Sequence, residues 1–258
     1  MAAHRPLLLD CLDIDDGTRV IALVGAGGKT SLMYLLAWEM GLCGDRIVTT
    51  TTTKIRPPET SQSPLLILVD DAPDLKNLPS SLCQYGHVTV GSSLLSEGKV
   101  DGINEEIVNR CLQSANRVII EADGANGRSV KAPEAWEPVI PSFTDLVIPV
   151  IGLDCVGRPA TEEWVFRLER FLEVTGLQAN EAITPEAIAR LVAHPQGAMK
   201  GVPEAARVVP FLNKVDLLQP PWTSQTVADA MFMRAGTRIQ RVVAGQLKDR
   251  IQATVCKR

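Results

Sequence analysis

The sequence predicts a three-layer α/β protein in which helices cover both faces of a mainly parallel sheet. Three observations support this prediction. Short apolar runs of strand length recur along the chain. Segments with helical spacing of apolar residues alternate with these runs, which is the order that builds parallel strands. The first run also passes through a glycine-rich turn directly into a helical segment.

The predicted strands are apolar runs typical of strands buried on both faces. They lie at 19–24, 47–50, 65–69, 88–90, 118–121, 146–151 and 208–212, with a further strand near 239–243. Helical spacing is found at 30–40, 104–113, 161–174, 185–193 and 223–233. Thr184 followed by Pro185 is typical of an N-cap and a proline in the first helical turn.

We expect residues 1–258 to form a single domain with a helical insertion at 156–205. A chain of this length can bury a sizeable core, and 45% hydrophobic and 22% charged residues are ordinary for a globular protein. Length alone is equally compatible with two small domains. The segment 156–205 contains two of the predicted helices.

Composition argues against several classes of partner and location. The net charge of −4 disfavours nucleic acid, and no apolar stretch approaches the length of a membrane span. We therefore expect a cytoplasmic protein that binds neither nucleic acid nor membranes. The six cysteines form no C-x-x-C pair and the three histidines lie in unrelated contexts, so we expect any metal to be magnesium carried by phosphate.

The turn after the first strand carries the strongest functional signal, Gly25-Ala26-Gly27-Gly28-Lys29-Thr30-Ser31. In a P-loop, glycines let backbone N–H groups converge on phosphate oxygens, and the helix N-terminus and a lysine add positive charge. Lys29 is that lysine, and the Thr30 hydroxyl is placed to ligate Mg²⁺. Since position 23 is Leu23, the spacing is the shorter G-x-G-G-K-T, which resembles the loop of Mur-type ligases. An ordinary glycine turn is the alternative, but the flanking strand and helix favour a P-loop NTPase-like fold.

A second motif, Asn213-Lys214-Val215-Asp216, follows the run at 208–212. It resembles the guanine-reading N-K-x-D of GTPases. The Asp216 carboxylate can accept two hydrogen bonds from guanine, which adenine cannot donate in the same way. Asn213 would hold the loop and Lys214 would cover the ring. Four residues alone also fit a polar loop, but their position downstream of the glycine turn favours GTP over ATP.

Two carboxylates, Glu121 and Asp123, stand where the strand at 118–121 ends. Ligands of open α/β sheets bind at this end of the strands, so either carboxylate is a candidate for holding Mg²⁺ or orienting water. Acids at a solvated strand end are the alternative.

Three further features have two interpretations each. The run Thr49–Lys54 suits phosphate contact or simple strand formation. Arg128 and Lys131 suit stabilisation of phosphoryl charge or a solvated loop. Cys155 is better explained as a small buried thiol than as a sulfur or selenium carrier.

Five motifs together resemble the YqeC family: V-G-A-G-G-K-T-S, T-T-T-T-K, E-A-D-G-A-N-G-R-S-V-K-A-P, E-P-V-I-P and F-L-N-K-V-D. The resemblance implies an accessory role in the maturation of selenium-dependent molybdenum hydroxylases, with such an enzyme or its cofactor-maturation proteins as partners. Trp136 and Phe166 stand where the family pattern commonly has histidines. If those histidines act in catalysis or metal binding, this chain has lost or altered that step.

Three functions are compatible with these residues. The first is a GTPase-like, NTP-hydrolysing maturation factor with Lys29, Glu121, Asp123 and Arg128 as its catalytic residues. The second is a phosphotransferase or Mur-like ligase acting on a small cofactor precursor. The third is a nucleotide-dependent binding module without turnover.

Overall fold

The computed structural model describes residues 7–70 and 75–258, and the predicted three-layer α/β fold is confirmed. The strands are β1 (Val20–Gly25), β2 (Ile47–Thr51), β3 (Lys54–Ile55), β4 (Leu66–Leu68), β5 (His87–Gly91), β6 (Val100–Asp101), β7 (Arg117–Glu121), β8 (Val130–Lys131), β9 (Leu146–Gly152), β10 (Val165–Phe166), β11 (Arg207–Val208), β12 (Phe211–Asn213), β13 (Val242–Gln246) and β14 (Gln252–Cys256). The α-helices are α1 (Leu7–Leu12), α2 (Lys29–Leu42), α3 (Leu78–Tyr85), α4 (Glu105–Cys111), α5 (Leu168–Thr175), α6 (Pro185–Ala193) and α7 (Ser224–Ala235).

The main sheet has the order β14-β13-β12-β9-β1-β7-β2-β5-β4, and β11 also pairs with β9. The pairs are parallel except for β13 with β14 at one edge. Strand β1 lies between β7 and β9 and is buried along its whole length. Because the three strands are parallel, the loops that follow them meet at one edge of the sheet.

Helices cover both faces of this sheet. Ile21 and Leu23 of β1 pack in one cluster with α1 and α2, while Val20, Ala22 and Val24 pack in another with α3 and α4. Alternate residues of a strand point to opposite faces, so the two clusters lie on opposite sides of the sheet. A third cluster contains α5, α6 and α7, packed on β12 and β13.

The segment 156–205 connects β9 to β11 and contains β10, α5 and α6. Helix α6 begins where predicted, since the Thr184 hydroxyl accepts a hydrogen bond from the Ala187 amide at 3.2 Å and Pro185 is the first helical residue. The core of α6 is continuous with that of α7.

Two predicted elements are wrong in part. The helix expected at 161–174 begins only at Leu168, because Val165 and Phe166 instead pair with β8 and Arg167 has a left-handed backbone (φ 63°). The strand expected at 208–212 is interrupted at Pro210, which has no N–H to donate to a neighbouring strand. The elements that were not predicted are helices α1 and α3, the two-residue strands β3, β6, β8 and β10, and strand β14. Over the described residues, every helix is too short or too polar to span a bilayer.

Candidate functional site

The loop between β1 and α2 is shaped by three glycines. Gly25, Gly27 and Gly28 have φ angles of 88°, 92° and 131°, which other residues rarely adopt. Ala26 donates its N–H to the carbonyl oxygen of Val150 on β9 at 2.9 Å, which anchors the turn to the neighbouring strand. The next five amides, 27–31, donate to no acceptor among the described residues. They therefore form an N–H row at the start of α2, an arrangement suited to anionic oxygens.

Close packing also restricts this loop to glycine. A Cβ atom on Gly27 would lie 2.3 Å from the Gly152 nitrogen and 2.8 Å from the Ser129 carbonyl oxygen. A Cβ atom on Gly28 would lie 2.3 Å from Nδ2 of Asn213. The loop after β7 and the last residues of β9 and β12 thus contact the glycine turn directly.

Lys29 is 3% exposed and lies beneath the turn. Its Nζ donates to the Gly25 carbonyl oxygen at 2.6 Å and lies 3.2 Å from Oδ1 of Asp123 and 3.6 Å from Oε1 of Glu121. Burial alone would lower the pKa of Lys29, but the attraction of the two carboxylates raises it. The lysine is therefore held as an ammonium group next to the N–H row.

Thr30 and Glu121 place two oxygens side by side at the same end of the sheet. The Thr30 hydroxyl donates to Oε2 of Glu121 at 2.7 Å. A hydroxyl and a carboxylate oxygen are hard ligands that suit magnesium. No group of three or more His, Cys, Asp or Glu side chains suited to a metal is present in residues 7–70 and 75–258. A magnesium ion here would complete its coordination with oxygens of phosphate or water.

Asp123 connects the glycine turn to a second buried lysine. It is 2% exposed, its Oδ2 accepts from the Gly25 amide at 3.0 Å, and the same oxygen lies 3.1 Å from Nζ of Lys131. Lys131 also donates to Oε2 of Glu137 at 2.6 Å, and Glu137 accepts from Arg167 at 2.7 Å. For Lys131, the sequence analysis left open whether it stabilises phosphoryl charge or lies in a solvated loop. Glu137 belongs to the E-P-V-I-P motif, but neither it nor Arg167 was predicted to pair with another residue of the site.

The rings of Trp136 and Phe166, the two positions singled out by the resemblance, both lie close to the Arg167 guanidinium group. The Arg167 guanidinium carbon is 5.5 Å from the centre of the Trp136 ring and 5.0 Å from that of Phe166. The structure therefore brings the two positions together, although they lie far apart in the sequence.

The Asn213–Asp216 motif reaches the glycine turn through its first residue. Asn213 is 5% exposed and its Nδ2 donates to the Gly27 carbonyl oxygen at 2.7 Å. Lys214 has a φ angle of 62°, and its Nζ donates to Oδ2 of Asp154 at 2.7 Å and to the Ser129 hydroxyl at 2.9 Å. Asp216 is exposed, in a single 3-10 turn. Sequence reasoning missed Ser129 and Asp154 as partners of this lysine.

Several predicted candidates have partners other than the glycine turn. Arg128 donates its Nε to the Glu162 carbonyl oxygen at 2.5 Å. The Thr49 and Thr50 hydroxyls bond within the sheet, to Thr89 at 2.8 Å and to the Val90 carbonyl oxygen at 2.7 Å, which favours their interpretation as strand formers. Burial raises the pKa of the Cys155 thiol, as expected for an unreactive core cysteine.

Comparison with known proteins shows the family to which this chain is similar. The model of the family described as "YqeC protein" matches residues 21–169. A relative from Escherichia coli (strain K12), described as "Uncharacterized protein YqeC", is 38% identical over 200 residues, which are 76% of this chain and 75% of the relative.

Two solved structures show a weaker likeness. One is FlhF complexed with GMPPNP and Mg(2+), at a TM-score of 0.43 and 12% identity over 92% of this chain and 70% of that chain. The other is the signal recognition particle receptor FtsY from Elizabethkingia anophelis, at a TM-score of 0.39 and 14% identity over 92% of this chain and 61% of that chain. At these values the likeness adds nothing about ligands or chemistry.

Proposed function

The chain belongs to the YqeC family, and we propose that it binds a nucleoside triphosphate with magnesium at residues 25–31 and hydrolyses it. One observation carries the proposal: the five amides 27–31, without acceptors in the described part of the chain, lie beside the Lys29 ammonium group. This combination of converging N–H groups, a helix N-terminus and a lysine is suited to a polyphosphate.

Lys29 changes partners in this proposal. Its Nζ leaves the carboxylates of Asp123 and Glu121 and contacts phosphate oxygens. Asp123 keeps the Gly25 amide and Lys131 as partners, so it stays in place without Lys29. Thr30 and Glu121 would hold magnesium, which when bound neutralises charge on the phosphate oxygens.

Hydrolysis would use a carboxylate that Lys29 has released. Glu121 or Asp123 orients a water molecule towards the γ-phosphorus and accepts its proton as the new P–O bond forms. The bond to the β-phosphate oxygen breaks, and nucleoside diphosphate and phosphate leave.

The preference for GTP rests on the Asn213–Asp216 motif. The bond from Asn213 to Gly27 fixes the position of the motif relative to the phosphate turn. In the proposal, the exposed Asp216 carboxylate accepts hydrogen bonds from guanine. The ammonium of Lys214 is held by Asp154 and Ser129, so only its aliphatic stem would be left to cover the base.

The family resemblance indicates a biological role for nucleotide hydrolysis. We propose that the chain acts as an accessory factor in the maturation of a selenium-dependent molybdenum hydroxylase, with hydrolysis relaxing loops that hold the client. Release of phosphate that accelerates when such an enzyme is added would support this role, and an unchanged rate would count against it.

Calorimetric titration with GTP and ATP, each with and without Mg²⁺, tests binding. We expect magnesium-dependent affinity that favours GTP, strong weakening in Lys29→Ala, and loss of base preference in Asp216→Ala. Lys54→Ala is the matched control, because Lys54 is an exposed lysine paired with Glu97. Thermal melts of each variant separate lost binding from lost folding.

Phosphate release distinguishes hydrolysis from the other two functions. Binding without release, even beside a client, would select the non-hydrolysing module. Transfer of phosphate only to an added small acceptor would select the phosphotransferase or ligase. A wild-type chain that binds neither nucleotide would overturn the proposal altogether.

A further inference from the structure

A row of alternating charges runs from the glycine turn to the protein surface. Nζ of Lys29 lies 3.2 Å from Oδ1 of Asp123, and Oδ2 of Asp123 lies 3.1 Å from Nζ of Lys131. Lys131 is 2.6 Å from Oε2 of Glu137, and the same oxygen is 2.7 Å from Nη1 of Arg167. We name these five residues the ion-pair chain.

The inner members of the ion-pair chain are buried. Lys131 is 1% exposed, and its only other hydrogen bond among the described residues is to the Gly124 carbonyl oxygen at 2.6 Å. Charges buried in this way are weakly screened by water, so each depends strongly on its partners. Asp123, Lys131 and Glu137 each have a charged partner on both sides. Removal of one partner therefore leaves the shared residue free to move towards the other.

The outer end of the ion-pair chain meets an exposed aromatic side chain. The Arg167 guanidinium group contacts the rings of both Trp136 and Phe166, and Trp136 is 70% exposed. The backbone around Trp136 is fixed, because Nζ of Lys200 donates to the carbonyl oxygens of Glu134, Ala135 and Glu137 at 2.6, 2.7 and 2.9 Å. A change at Arg167 would therefore reach the Trp136 ring without reorganising its loop.

We propose that Lys131 is a positioning residue that couples phosphate binding at the glycine turn to the surface at Trp136. This inference rests on the proposed function. Phosphate draws Lys29 away from Asp123, and Lys131, which no longer shares Asp123 with Lys29, moves closer to it. Lys131 thereby moves away from Glu137, and Arg167, which already donates to both Glu137 oxygens at 2.7 and 3.2 Å, becomes the main charged partner of Glu137. The guanidinium group shifts relative to the two rings, so the surroundings of Trp136 differ between the free and the nucleotide-bound protein.

The reverse effect follows from thermodynamic linkage. If nucleotide binding alters the contacts of Arg167, then removing those contacts alters nucleotide affinity by the same coupling. Arg167 has no contact with the glycine turn except through the ion-pair chain, as far as the described residues show.

Fluorine NMR of the full chain labelled with 5-fluorotryptophan tests the coupling. The four tryptophans give four resonances, and Trp136→Phe identifies that of Trp136. We expect saturating Mg-GTP to shift the Trp136 resonance, and guanosine monophosphate, which lacks the outer phosphates, to leave it unshifted. The shift should be lost in Lys131→Met and restored in Lys131→Arg.

A second measurement avoids the risk that Lys131→Met does not fold. Calorimetry with Mg-GTP should give an affinity for Arg167→Met that differs from wild type by about fivefold, the lower end of usual allosteric couplings. Arg46→Met is the control, because Arg46 is exposed and bonds to Asn116, outside the ion-pair chain. Nucleotide binding with an unmoved Trp136 resonance, or a shift that persists in Lys131→Met, would overturn the coupling and leave the proposed function standing. Absence of nucleotide binding would overturn both.

Discussion

Replacing Gly27 with alanine is the sharpest test of how the glycine turn is built. The new Cβ would lie 2.3 Å from the nitrogen and 2.7 Å from the Cα of Gly152, and 2.8 Å from the Ser129 carbonyl oxygen. All three atoms belong to backbone, so no side chain can rotate away. The φ angle of 92° adds strain for any residue with a Cβ.

The two effects together set the magnitude. A positive φ costs a non-glycine residue about 1–2 kcal/mol, and overpacking costs about 1–3 kcal/mol. We expect Gly27→Ala to lose about 3 kcal/mol of folding free energy, which for a chain of this size lowers the melting temperature by about 6–12 °C.

Thermal melts followed by circular dichroism measure this loss, and Gly124→Ala is the matched control. Gly124 follows Asp123 in the same site, but a Cβ there meets nothing within 4 Å and its φ is not in the left-handed range. We expect its melting temperature to stay near that of wild type. If Gly27→Ala and Gly124→Ala have the same melting temperature, the turn does not pack closely against Gly152 and Ser129. The described arrangement of the N–H row would then be wrong as well.

Three further predictions concern charge and protonation. Asp123→Asn should cost about 3–5 kcal/mol of folding free energy in urea titrations, because two buried lysines lose their shared carboxylate. The control Glu97→Gln, which removes one partner of an exposed ion pair, should cost about 1 kcal/mol or less. Equal losses in the two variants would contradict the burial of the site. Burial lowers the pKa of His87 from 6.5 to about 4. The unfolded chain therefore binds a proton at this histidine more tightly than the folded chain does. The free energy of unfolding should fall by up to about 3 kcal/mol as pH drops from 6.5 to 4. Thermal melts of His87→Phe should lack this fall in stability between pH 6.5 and 4. The same pH profile in His87→Phe and wild type would refute the assignment to His87. Because burial raises the pKa of Cys155, iodoacetamide at pH 8 should leave this thiol unmodified in the folded protein. The exposed Cys43 and Cys83 should react, and mass spectrometry distinguishes the sites. Modification of Cys155 as fast as that of Cys43 and Cys83 would show that its thiol is accessible.

The sequence predicted best where the signal is local. Strand β1, the glycine turn and helix α2 are consecutive in the chain, so apolar spacing and glycine placement specify them together. The N-cap at Thr184 was predictable for the same reason, since a capping side chain bonds to an amide only three residues away.

Elements that depend on distant partners were not predictable. Val165 and Phe166 fit a helical pattern by spacing, but β8 offers them a parallel partner that only the folded chain supplies. The same pairing carries Lys131 and Arg167 to the two sides of Glu137. No spacing rule connects these three residues, so the ion-pair chain could be found only from the structure.

The bond between Asn213 and the Gly27 carbonyl has a consequence for biosynthesis. The turn and its brace lie 186 residues apart in the sequence, and contacts so distant form slowly. A ribosome-bound nascent chain that has not yet exposed β12 would have β1 and α2 without this brace. We therefore expect the proposed binding of phosphate to arise only after β12 has emerged from the ribosome, which would keep nascent chains from sequestering nucleotide.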